Sequence, residues 1–516
     1  MRLAALLLLA LISGCARPPQ VEVDGETLTC KRPDERGASA VRGVPFAAPP
    51  VGELRWQAPQ PRSMKIAERD ATAFAPACMQ HMGILEWYRR MAEKFGYTRD
   101  EFEDLEISED CLYLNVWTPA LDEGARLPVM VYIHGGSNDS GWAYEPDYHG
   151  HVLAERGVVM VSIAYRLGVF GFISHPELDG AGVRANFGLW DQVAALDWVQ
   201  EHIGKFGGDP SRVTLFGESA GAQDILALMA SPVGRGLFHG AILQSNAGFG
   251  IGRRESPTLD DERRRGGEMA SLFDIDGEGA LDRLRAIPAQ ELLDRYMENV
   301  EHYHSPAVDG KLLTEPVWQT IQSGNLAPMP LIIGSNGDEW FDRIPPDSDR
   351  DDLVRAVGEW PQVDAQRVLD VLGAVDDYGE TIDRVSTAFG MLCPSQMTAA
   401  KQSSMHDNAW VYYFTRIRDG EGGALVRAYH GAELPYVFGT HARWITTTDV
   451  DRALTEQILT YWTRFAATGN PNTGGVPAWP TFRMPDPVVM EFGDTARTIA
   501  APDAALCALL DLSDQQ

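Results

Sequence analysis

The chain of 516 residues carries 44 basic and 73 acidic side chains, which gives a formal net charge of −29. A surface of that sign repels the phosphates of nucleic acids, so nucleic-acid binding is excluded as the main function. Hydrophobic residues make up 44% of the sequence and charged residues 23%, a composition that predicts a globular protein with a large core and excludes a disordered chain.

The N-terminus has the pattern of an export signal. Arg2 precedes an apolar run from Leu3 to Ile12, which is too short to span a bilayer as a stable anchor. The run ends in Ile12-Ser13-Gly14-Cys15, which resembles a bacterial lipobox, where cleavage before the cysteine leaves Cys15 lipid-modified. The alternative is an ordinary signal peptide with an incidental cysteine.

This pattern predicts where the protein acts. No later stretch reaches 18 consecutive apolar residues, so membrane contact is predicted through the N-terminal lipid anchor only. Arg17, rather than an acidic residue, favours the outer membrane in a host that has one. The rest of the chain is then exported, to the periplasm or the cell exterior, where disulfides persist.

Short apolar runs alternate with helical patterns along the chain. Continuous apolar runs predict buried strands at Pro128–Gly136, Val158–Tyr165, Val213–Phe216, Gly240–Ser245, Pro330–Ser335 and Ala409–Phe414. Apolar residues near helical spacing predict helices at Gly188–Phe206 and Leu454–Ala467, and the charged run Arg253–Glu268 predicts a solvated helix or loop. Strands separated by helices predict an α/β fold, with a large, mostly parallel central sheet flanked by helices.

A nucleophile motif follows one of these strands. Gly217-Glu218-Ser219-Ala220-Gly221 has the form G-x-S-x-G, which chance alone produces in roughly one of four chains with 50 glycines, so the pattern by itself is a weak signal. Its context is more specific, because the motif follows the strand VTLF and opens the apolar helix AGAQDILALMA. A nucleophile elbow needs this setting, since its strained turn lifts the serine Oγ above the sheet. The motif predicts Ser219 as the nucleophile and the Ala220 N–H as an oxyanion donor.

A serine attacks an ester at neutral pH only with an adjacent base, which is itself oriented by a carboxylate. In hydrolases with a nucleophile elbow the chain order is serine, acid, histidine. Two later segments fit that order, Ile333–Glu339 after a predicted strand and His430–Glu433. On spacing alone, a charged turn and a surface histidine are the simpler interpretations, and the 12 histidines cannot be separated.

Two long stretches of the sequence are specific enough to select among these candidate residues. Glu109–Pro119 has the sequence EDCLYLNVWTP, and Ala185–Ala222 has the sequence ANFGLWDQVAALDWVQEHIGKFGGDPSRVTLFGESAGA. Both resemble the type-B carboxylesterase and cholinesterase family of α/β-hydrolases, and the resemblance extends from Arg42 to Pro480. It implies one catalytic domain over residues 26–512, after a signal peptide over residues 1–14 and a tether over residues 15–25.

The resemblance also implies a set of site residues. Ser219 is the nucleophile, Glu339 within its N-x-D-E turn is the triad acid, and His430 within HGAELPYVFG is the base. Ser245 is a hydroxyl near the triad and Glu218 a buried carboxylate at the pocket floor, although a purely structural role fits either residue equally well. No cofactor or metal is implied, and no metal-ligand spacing is found in the sequence.

The predicted oxyanion loop is His134-Gly135-Gly136-Ser137, and it departs from the family pattern. Relatives usually carry a third glycine followed by an aromatic residue, where this chain has Ser137 and Asn138. The amides of Gly136 and Ser137 can still donate alongside Ala220. The Cβ of Ser137 narrows the approach, and Asn138 is expected to replace part of an apolar wall.

By the same resemblance, two disulfides are implied and one cysteine is left over. They are Cys78–Cys111 and Cys393–Cys507, which leaves Cys30 free. The segment Met82–Gly96, enclosed by the first disulfide, is either a lid or a helix packed on the body of the domain. Glu101 stands where cholinesterases carry their choline-binding tryptophan, so a true cholinesterase is not expected.

The sequence therefore predicts an exported, lipid-anchored serine carboxylesterase, which hydrolyses small-molecule esters through an acyl-enzyme. One alternative is a non-catalytic surface adhesion protein, because the same fold serves extracellular binding in relatives that lack the triad. The presence of Ser219, Glu339 and His430 argues against it. Another alternative is a lipase or thioesterase with a longer acyl pocket.

Overall fold

The computed structural model describes residues 18–31, 37–62, 66–180, 182–245, 256–299, 304–361 and 363–510. The predicted signal peptide and the predicted lipidation site Cys15 lie outside these residues, as do residues 15–17 of the predicted tether and residues 511–512 of the predicted domain. In the described part of the chain, no helix is both long and apolar enough to cross a membrane.

The described strands form one large sheet and two small ones. They are β1 Gln20–Val23, β2 Glu26–Cys30, β3 Ser39–Pro45, β4 Glu68–Ala71, β5 Ala77–Cys78, β6 Ile107–Ser108, β7 Tyr113–Thr118, β8 Leu127–Ile133, β9 Val159–Ile163, β10 Gly208–Glu218, β11 Gly240–Gln244, β12 Leu331–Asn336, β13 Ala409–Phe414, β14 Val488–Phe492 and β15 Ala496–Ala500. The large sheet has ten strands in the order β15-β14-β13-β12-β11-β10-β8-β9-β7-β3. Its strands from β14 to β9 are parallel, whereas β15, β7 and β3 join by antiparallel pairs.

Helices connect and cover these strands. The described α-helices are α1 Gly83–Lys94, α2 His151–Glu155, α3 Gly168–Gly171, α4 Phe187–His202, α5 Ala220–Ala230, α6 Leu259–Ser271, α7 Ala280–Arg285, α8 Ala289–Asn299, α9 Val317–Ser323, α10 Arg350–Gly358, α11 Ala365–Leu372, α12 Tyr378–Thr387, α13 Cys393–His406, α14 Glu421–Val426, α15 Leu434–Phe438, α16 Asp449–Thr468 and α17 Ala504–Cys507. The predicted α/β architecture, with a large and mostly parallel sheet flanked by helices, is confirmed.

The continuous apolar runs are explained by cores on both faces of the sheet. In β8, Val129 and Val131 belong to one hydrophobic cluster, whereas Met130 and Tyr132 belong to another. Successive side chains of a strand point to opposite faces, so a strand covered on both sides needs apolar residues at every position. The first cluster includes residues of α4 and α5, and the second includes residues of α16.

Two elements are longer than their apolar patterns predicted. β10 begins at Gly208, which pairs with Leu127 of β8, and the register shifts before the pairing resumes between Val213 and Val129. α16 begins at Asp449, because the Asp451 carboxylate accepts from the Thr448 amide over 2.7 Å and caps the helix.

The structure also bears on two further expectations, the tether and the charged run. Within the segment predicted as a tether, β1 pairs with β2, and its Val21 and Val23 are buried in the core. Part of the charged run forms α6, which buries Met269 and Ala270, while residues 253–255 lie outside the described residues.

The cysteines have the arrangement that the family resemblance implied. Cys78 is bonded to Cys111 and Cys393 to Cys507. Cys30 is a buried free thiol, and burial raises its pKa to about 11.

The strand order creates a switch point at β8. From β8 the chain passes to β9 on one side and then crosses to β10 on the other side. Connections that leave in opposite directions open a crevice at the carboxyl ends of the strands, where ligands of α/β proteins bind. The segments that follow β8, β10, β12 and β13 therefore converge on one site.

Candidate active site

Ser219 stands at the sharp turn between β10 and α5. Its φ of 56° and ψ of −122° lie outside the regions that most residues occupy, so the turn is strained. The neighbouring glycines are required, because an added Cβ would lie 2.0 Å from the Ile133 carbonyl oxygen at Gly221 and 2.7 Å from it at Gly217. The Ser219 amide donates to the Gln244 carbonyl over 2.9 Å, which ties the turn to β11. The backbone has the geometry of a nucleophile elbow.

His430 and Glu339 meet in front of this turn. Nδ1 of His430 lies 2.6 Å from Oε2 of Glu339, a fully buried carboxylate in the turn after β12. The other oxygen, Oε1, accepts from the Asn336 amide over 2.7 Å, so both carboxylate oxygens are held. The neighbouring carboxylate, Asp338, pairs with Arg427 instead. Glu339, and not Asp338, is therefore the carboxylate in contact with the imidazole.

The second nitrogen of His430 faces another carboxylate. Nε2 lies 3.0 Å from Oε1 of Glu218, the last residue of β10. Burial lowers the pKa of His430, but the carboxylates of Glu218 and Glu339 raise it by more, so it lies above its ordinary value. Burial also raises the pKa of Glu218 above its usual range, and His430 offsets part of that rise. Two carboxylates thus flank one imidazole and stabilise its protonated form.

The predicted oxyanion loop follows β8 and lines the same cavity. Gly136 has a φ of 104°, and a Cβ there would lie 2.0 Å from the Ser140 carbonyl oxygen, so only glycine fits. Ser137 also has a positive φ, 60°, which is uncommon for a residue with a side chain. Ala220 is buried and begins α5, where the backbone amide has no partner within the helix.

The structure corrects the expectation for Asn138. This residue is fully buried, and its side-chain Nδ2 donates to Oδ1 of Asp224 over 3.0 Å. Its Oδ1 accepts from the Tyr165 hydroxyl over 3.1 Å. The Asn138 side chain therefore holds the oxyanion loop against the body of the domain and does not replace an apolar wall of the cavity. Its polar partners explain why an amide is tolerated there.

One cavity of about 530 Å³ is lined by five of the predicted site residues. Its lining includes Gly136, Ser137, Glu218, Ser219 and His430. Its walls also include side chains of α1, the loop after the oxyanion loop and the turn after Glu339: Ile84, Trp87, Tyr88, Arg90, Met91, Lys94, Glu145, Asp147, Tyr148, Trp340, Asp342 and Arg343.

α1 combines the two alternatives that the sequence left open for residues 82–96. Leu85 and Ala92 are buried in the core, so the helix packs on the domain. Ile84 and Trp87 line the cavity, so the same helix covers the site. These two sets of contacts explain the apolar spacing of α1 without a lid that moves.

Comparisons with known proteins agree with this geometry. A sequence model described as the Carboxylesterase family matches residues 19–358 and 370–508. Para-nitrobenzyl esterase of Bacillus subtilis (strain 168) is 35% identical over 477 residues, covering 87% of this chain and 90% of that protein. Cocaine esterase of Homo sapiens is 34% identical over 473 residues, covering 86% and 82%. A solved structure of a PNB esterase superposes with a TM-score of 0.80 at 32% identity, covering 96% of this chain and 99% of that chain.

The chain belongs to the carboxylesterase family. It is a carboxylic ester hydrolase with the α/β-hydrolase fold.

A buried polar group of this carboxylesterase was not identified from its sequence. Glu433 is 2% exposed and accepts from Nδ2 of Asn336 over 2.6 Å and from Nε2 of Gln244 over 2.9 Å. Asn336 also holds Glu339 through its amide, and the Gln244 carbonyl holds the turn at Ser219. Glu433 therefore links the two residues that hold Glu339 and the turn at Ser219. Its position in the motif HGAE, close to His430 in sequence, was the available signal.

Two features lie apart from the cavity of the carboxylesterase, the predicted residue Ser245 and a group of three side chains that the sequence did not predict. Ser245 is fully buried after β11, where its amide donates to the Gly334 carbonyl over 2.9 Å, and in the described structure no hydrogen bond joins it to Glu339 or His430. Asp24, Glu201 and His202 form a group spaced for a metal ion, but they belong to a different surface pocket.

Proposed function

We propose that this carboxylesterase cleaves its substrates with a serine nucleophile, through an acyl-enzyme intermediate. Ser219 is the nucleophile, His430 the general base and acid, and Glu339 the residue that orients His430. The observation that carries the proposal is the contact of 2.6 Å between Nδ1 of His430 and Oε2 of Glu339, in the cavity that Ser219 lines from its strained turn.

In the acylation step, Ser219 Oγ attacks the ester carbonyl carbon while Nε2 of His430 takes its proton. The tetrahedral intermediate collapses when the imidazolium returns that proton to the leaving alcohol. Water then attacks the acyl-enzyme with the same base, and the acid is released. Glu339 keeps the proton on Nδ1, so that Nε2 is free to act, and stabilises the charge that forms on the ring.

Charge develops on the carbonyl oxygen in both steps, and backbone amides stabilise it. Ala220 N–H at the start of α5 is one donor, and the amides of Gly136 and Ser137 are the others. Removing one such donor in related chemistry costs about 100- to 1000-fold in kcat. The glycine requirement at Gly135 supports this role, because an added Cβ there would lie 2.7 Å from the Glu218 carbonyl oxygen and 3.1 Å from Cβ of Ser219, so the loop runs close to the turn at Ser219.

The contact between His430 and Glu218 sets a condition on this cycle. Nε2 of His430 must accept the proton of Ser219, but it also lies 3.0 Å from Oε1 of Glu218. An imidazole that is already protonated and held by Glu218 cannot act as a base. The enzyme is therefore active in the fraction of molecules in which His430 is neutral.

Labelling of the folded protein with a fluorophosphonate, followed by peptide mapping, tests the nucleophile. We expect one adduct at Ser219, and none in Ser219→Ala. A panel of aryl esters from acetate to decanoate, with Ser219→Ala as the control, then separates a short-chain esterase from the alternative of a lipase or thioesterase with a longer acyl pocket. An adduct at another serine, with activity retained in Ser219→Ala, contradicts the proposal.

We also propose that the enzyme is exported and lipid-anchored through Cys15, from the apolar run Leu3–Ile12 and the lipobox that follows it. The variant Cys15→Ser should move the enzyme from the membrane fraction to the soluble fraction or block its processing. Unchanged fractionation with normal processing contradicts the anchor.

A further inference from the structure

The cavity has an acidic floor below a basic rim. Two carboxylates of the loop after the oxyanion loop, Glu145 and Asp147, line the cavity and are 3% and 4% exposed. We call this pair the acidic floor. The basic side chains that line the same cavity are more open to solvent, 30% for Lys94 and 53% for Arg343, and Arg90 is exposed.

The acidic floor has fewer hydrogen-bond donors than acceptors. Glu145 accepts from the Trp142 amide over 3.1 Å, from the Tyr88 hydroxyl over 3.0 Å and from the Tyr148 side chain. The same hydroxyl lies 3.4 Å from Oδ2 of Asp147, but it has one proton and cannot serve both carboxylates. Oδ1 of Asp147 has no hydrogen-bond partner in the described part of the chain.

In the described part of the chain, no basic side chain forms an ion pair or hydrogen bond with Glu145 or Asp147. Arg418 attracts the Asp147 carboxylate, but its N–H groups donate to the Thr446 carbonyl over 2.9 Å and contact Nδ1 of His441 at 3.1 Å. Burial raises the pKa of Asp147 to about 7 and that of Glu145 to about 8. A buried carboxylate without a donor or a counter-charge is costly, so most proteins provide its partner.

We propose that the acidic floor is a recognition subsite for a protonated amine carried by the ester substrate. The inference deepens the proposed function, since the amine and the ester bond would occupy one cavity. A hydroxyl group could supply the missing donor, but only a cation supplies both the donor and the charge. The aromatic rings of Trp87 and Tyr88 also line the cavity, and aromatic faces attract cations.

Matched substrates can separate recognition of the charge from recognition of shape. The first pair is dimethylaminopropyl butanoate and isohexyl butanoate, which differ by a protonated nitrogen in place of a CH group in the alcohol. The second pair places the same change in the acyl group, as the nitrophenyl esters of dimethylaminobutanoic and isoheptanoic acid. The ratio of kcat/KM for amine over neutral ester is the readout, at low and at high salt.

We expect the wild type to prefer the amine in one of the two pairs, and the preferred pair identifies the half of the substrate that reaches the acidic floor. Asp147→Asn keeps the side-chain size and removes the charge, so the ratio should fall by about 10- to 100-fold. The loss should persist at high salt, because a buried pair is weakly screened.

Asp197→Asn is the matched control, since Asp197 is exposed on α4 and does not line this cavity. The substitution removes one negative charge, as Asp147→Asn does, from a protein of net charge −29. If the ratio of kcat/KM for amine over neutral ester is unchanged in Asp197→Asn, the overall negative charge of the protein does not cause the amine preference. Thermal denaturation monitors folding, and if Asp147→Asn does not fold, Glu145→Gln takes its place with the same readout.

The proposal is overturned if neither pair shows an amine preference, or if the preference survives in the folded floor variant. That failure differs from failure of the proposed function. If the wild type hydrolyses the neutral esters and Ser219→Ala does not, the serine mechanism is supported. This holds even when the ratio of kcat/KM for amine over neutral ester is one.

Discussion

The contact between Glu218 and His430 predicts an unusual pH dependence. In a serine esterase the neutral imidazole is the base, so kcat/KM falls below the pKa of the free enzyme's histidine. Glu218 and Glu339 raise that pKa above its ordinary value despite the opposing effect of burial. The acid limb of kcat/KM is therefore expected at higher pH than for an unperturbed histidine.

Glu218→Gln isolates one of the two carboxylates. Oε1 of Glu218 lies 3.0 Å from Nε2 of His430, well within the distance at which an opposite charge shifts a pKa by about 1 to 3 units. Without that charge the imidazolium is less stable, so the pKa of His430 falls and the acid limb moves to lower pH by about the same amount. Below the midpoint, each unit raises the active fraction about tenfold.

The assay is a pH profile of kcat/KM for a neutral aryl ester in wild type and variant. Glu262→Gln serves as the control, because Glu262 is also buried, at 1% exposure against 5% for Glu218, but pairs with Arg265 on α6 away from the cavity. Its profile should match the wild type. A folded, active Glu218→Gln enzyme whose acid limb does not move would refute the coupling, and a shift to higher pH would show that its sign is reversed.

Three further predictions concern the turn, the oxyanion loop and the first disulfide. Ser219→Ala or His430→Ala should each lower kcat by about 10⁴- to 10⁶-fold, with the double variant little worse, and a single variant that keeps a tenth of the activity contradicts the assignment. Ser137 lines the cavity, so Ser137→Gly should leave kcat for acetate esters nearly unchanged and raise kcat/KM for bulky acyl groups by about 10-fold, whereas wild-type values on both would show that this Cβ does not limit the pocket. Replacing Cys78 and Cys111 by serine should lower the free energy of unfolding in urea by about 3 to 4 kcal/mol, and an unchanged midpoint and slope would show that the bond does not constrain the unfolded chain.

Much of this protein was determined by patterns that are local in the sequence. Continuous apolar runs predicted the central strands, and Ala409–Phe414 forms β13 with the same bounds. The motif around Ser219 predicted a strained turn between a strand and a helix, because glycines must stand where an added Cβ would meet the Ile133 carbonyl. Family resemblance selected Glu339 and His430, which spacing alone could not separate from a charged turn and a surface histidine.

The polar surroundings of the site depended on the tertiary structure. Asn138 follows the oxyanion loop directly, yet its side chain turns away to meet Asp224 and Tyr165. The contact of Glu218 with His430 and the bonds of Glu433 to Gln244 and Asn336 join residues about 100 to 200 positions apart in the chain. No local pattern encodes such a pair.

The physical reason lies in the order of the strands. Because β10 inserts between β8 and β11, and β12 and β13 follow on one side, the loops at their carboxyl ends are brought to one edge of the sheet. Apolar periodicity specifies which residues are buried, but it does not specify which buried polar group meets which. That choice, including the donor-poor position of Asp147, is made only when the strands are assembled.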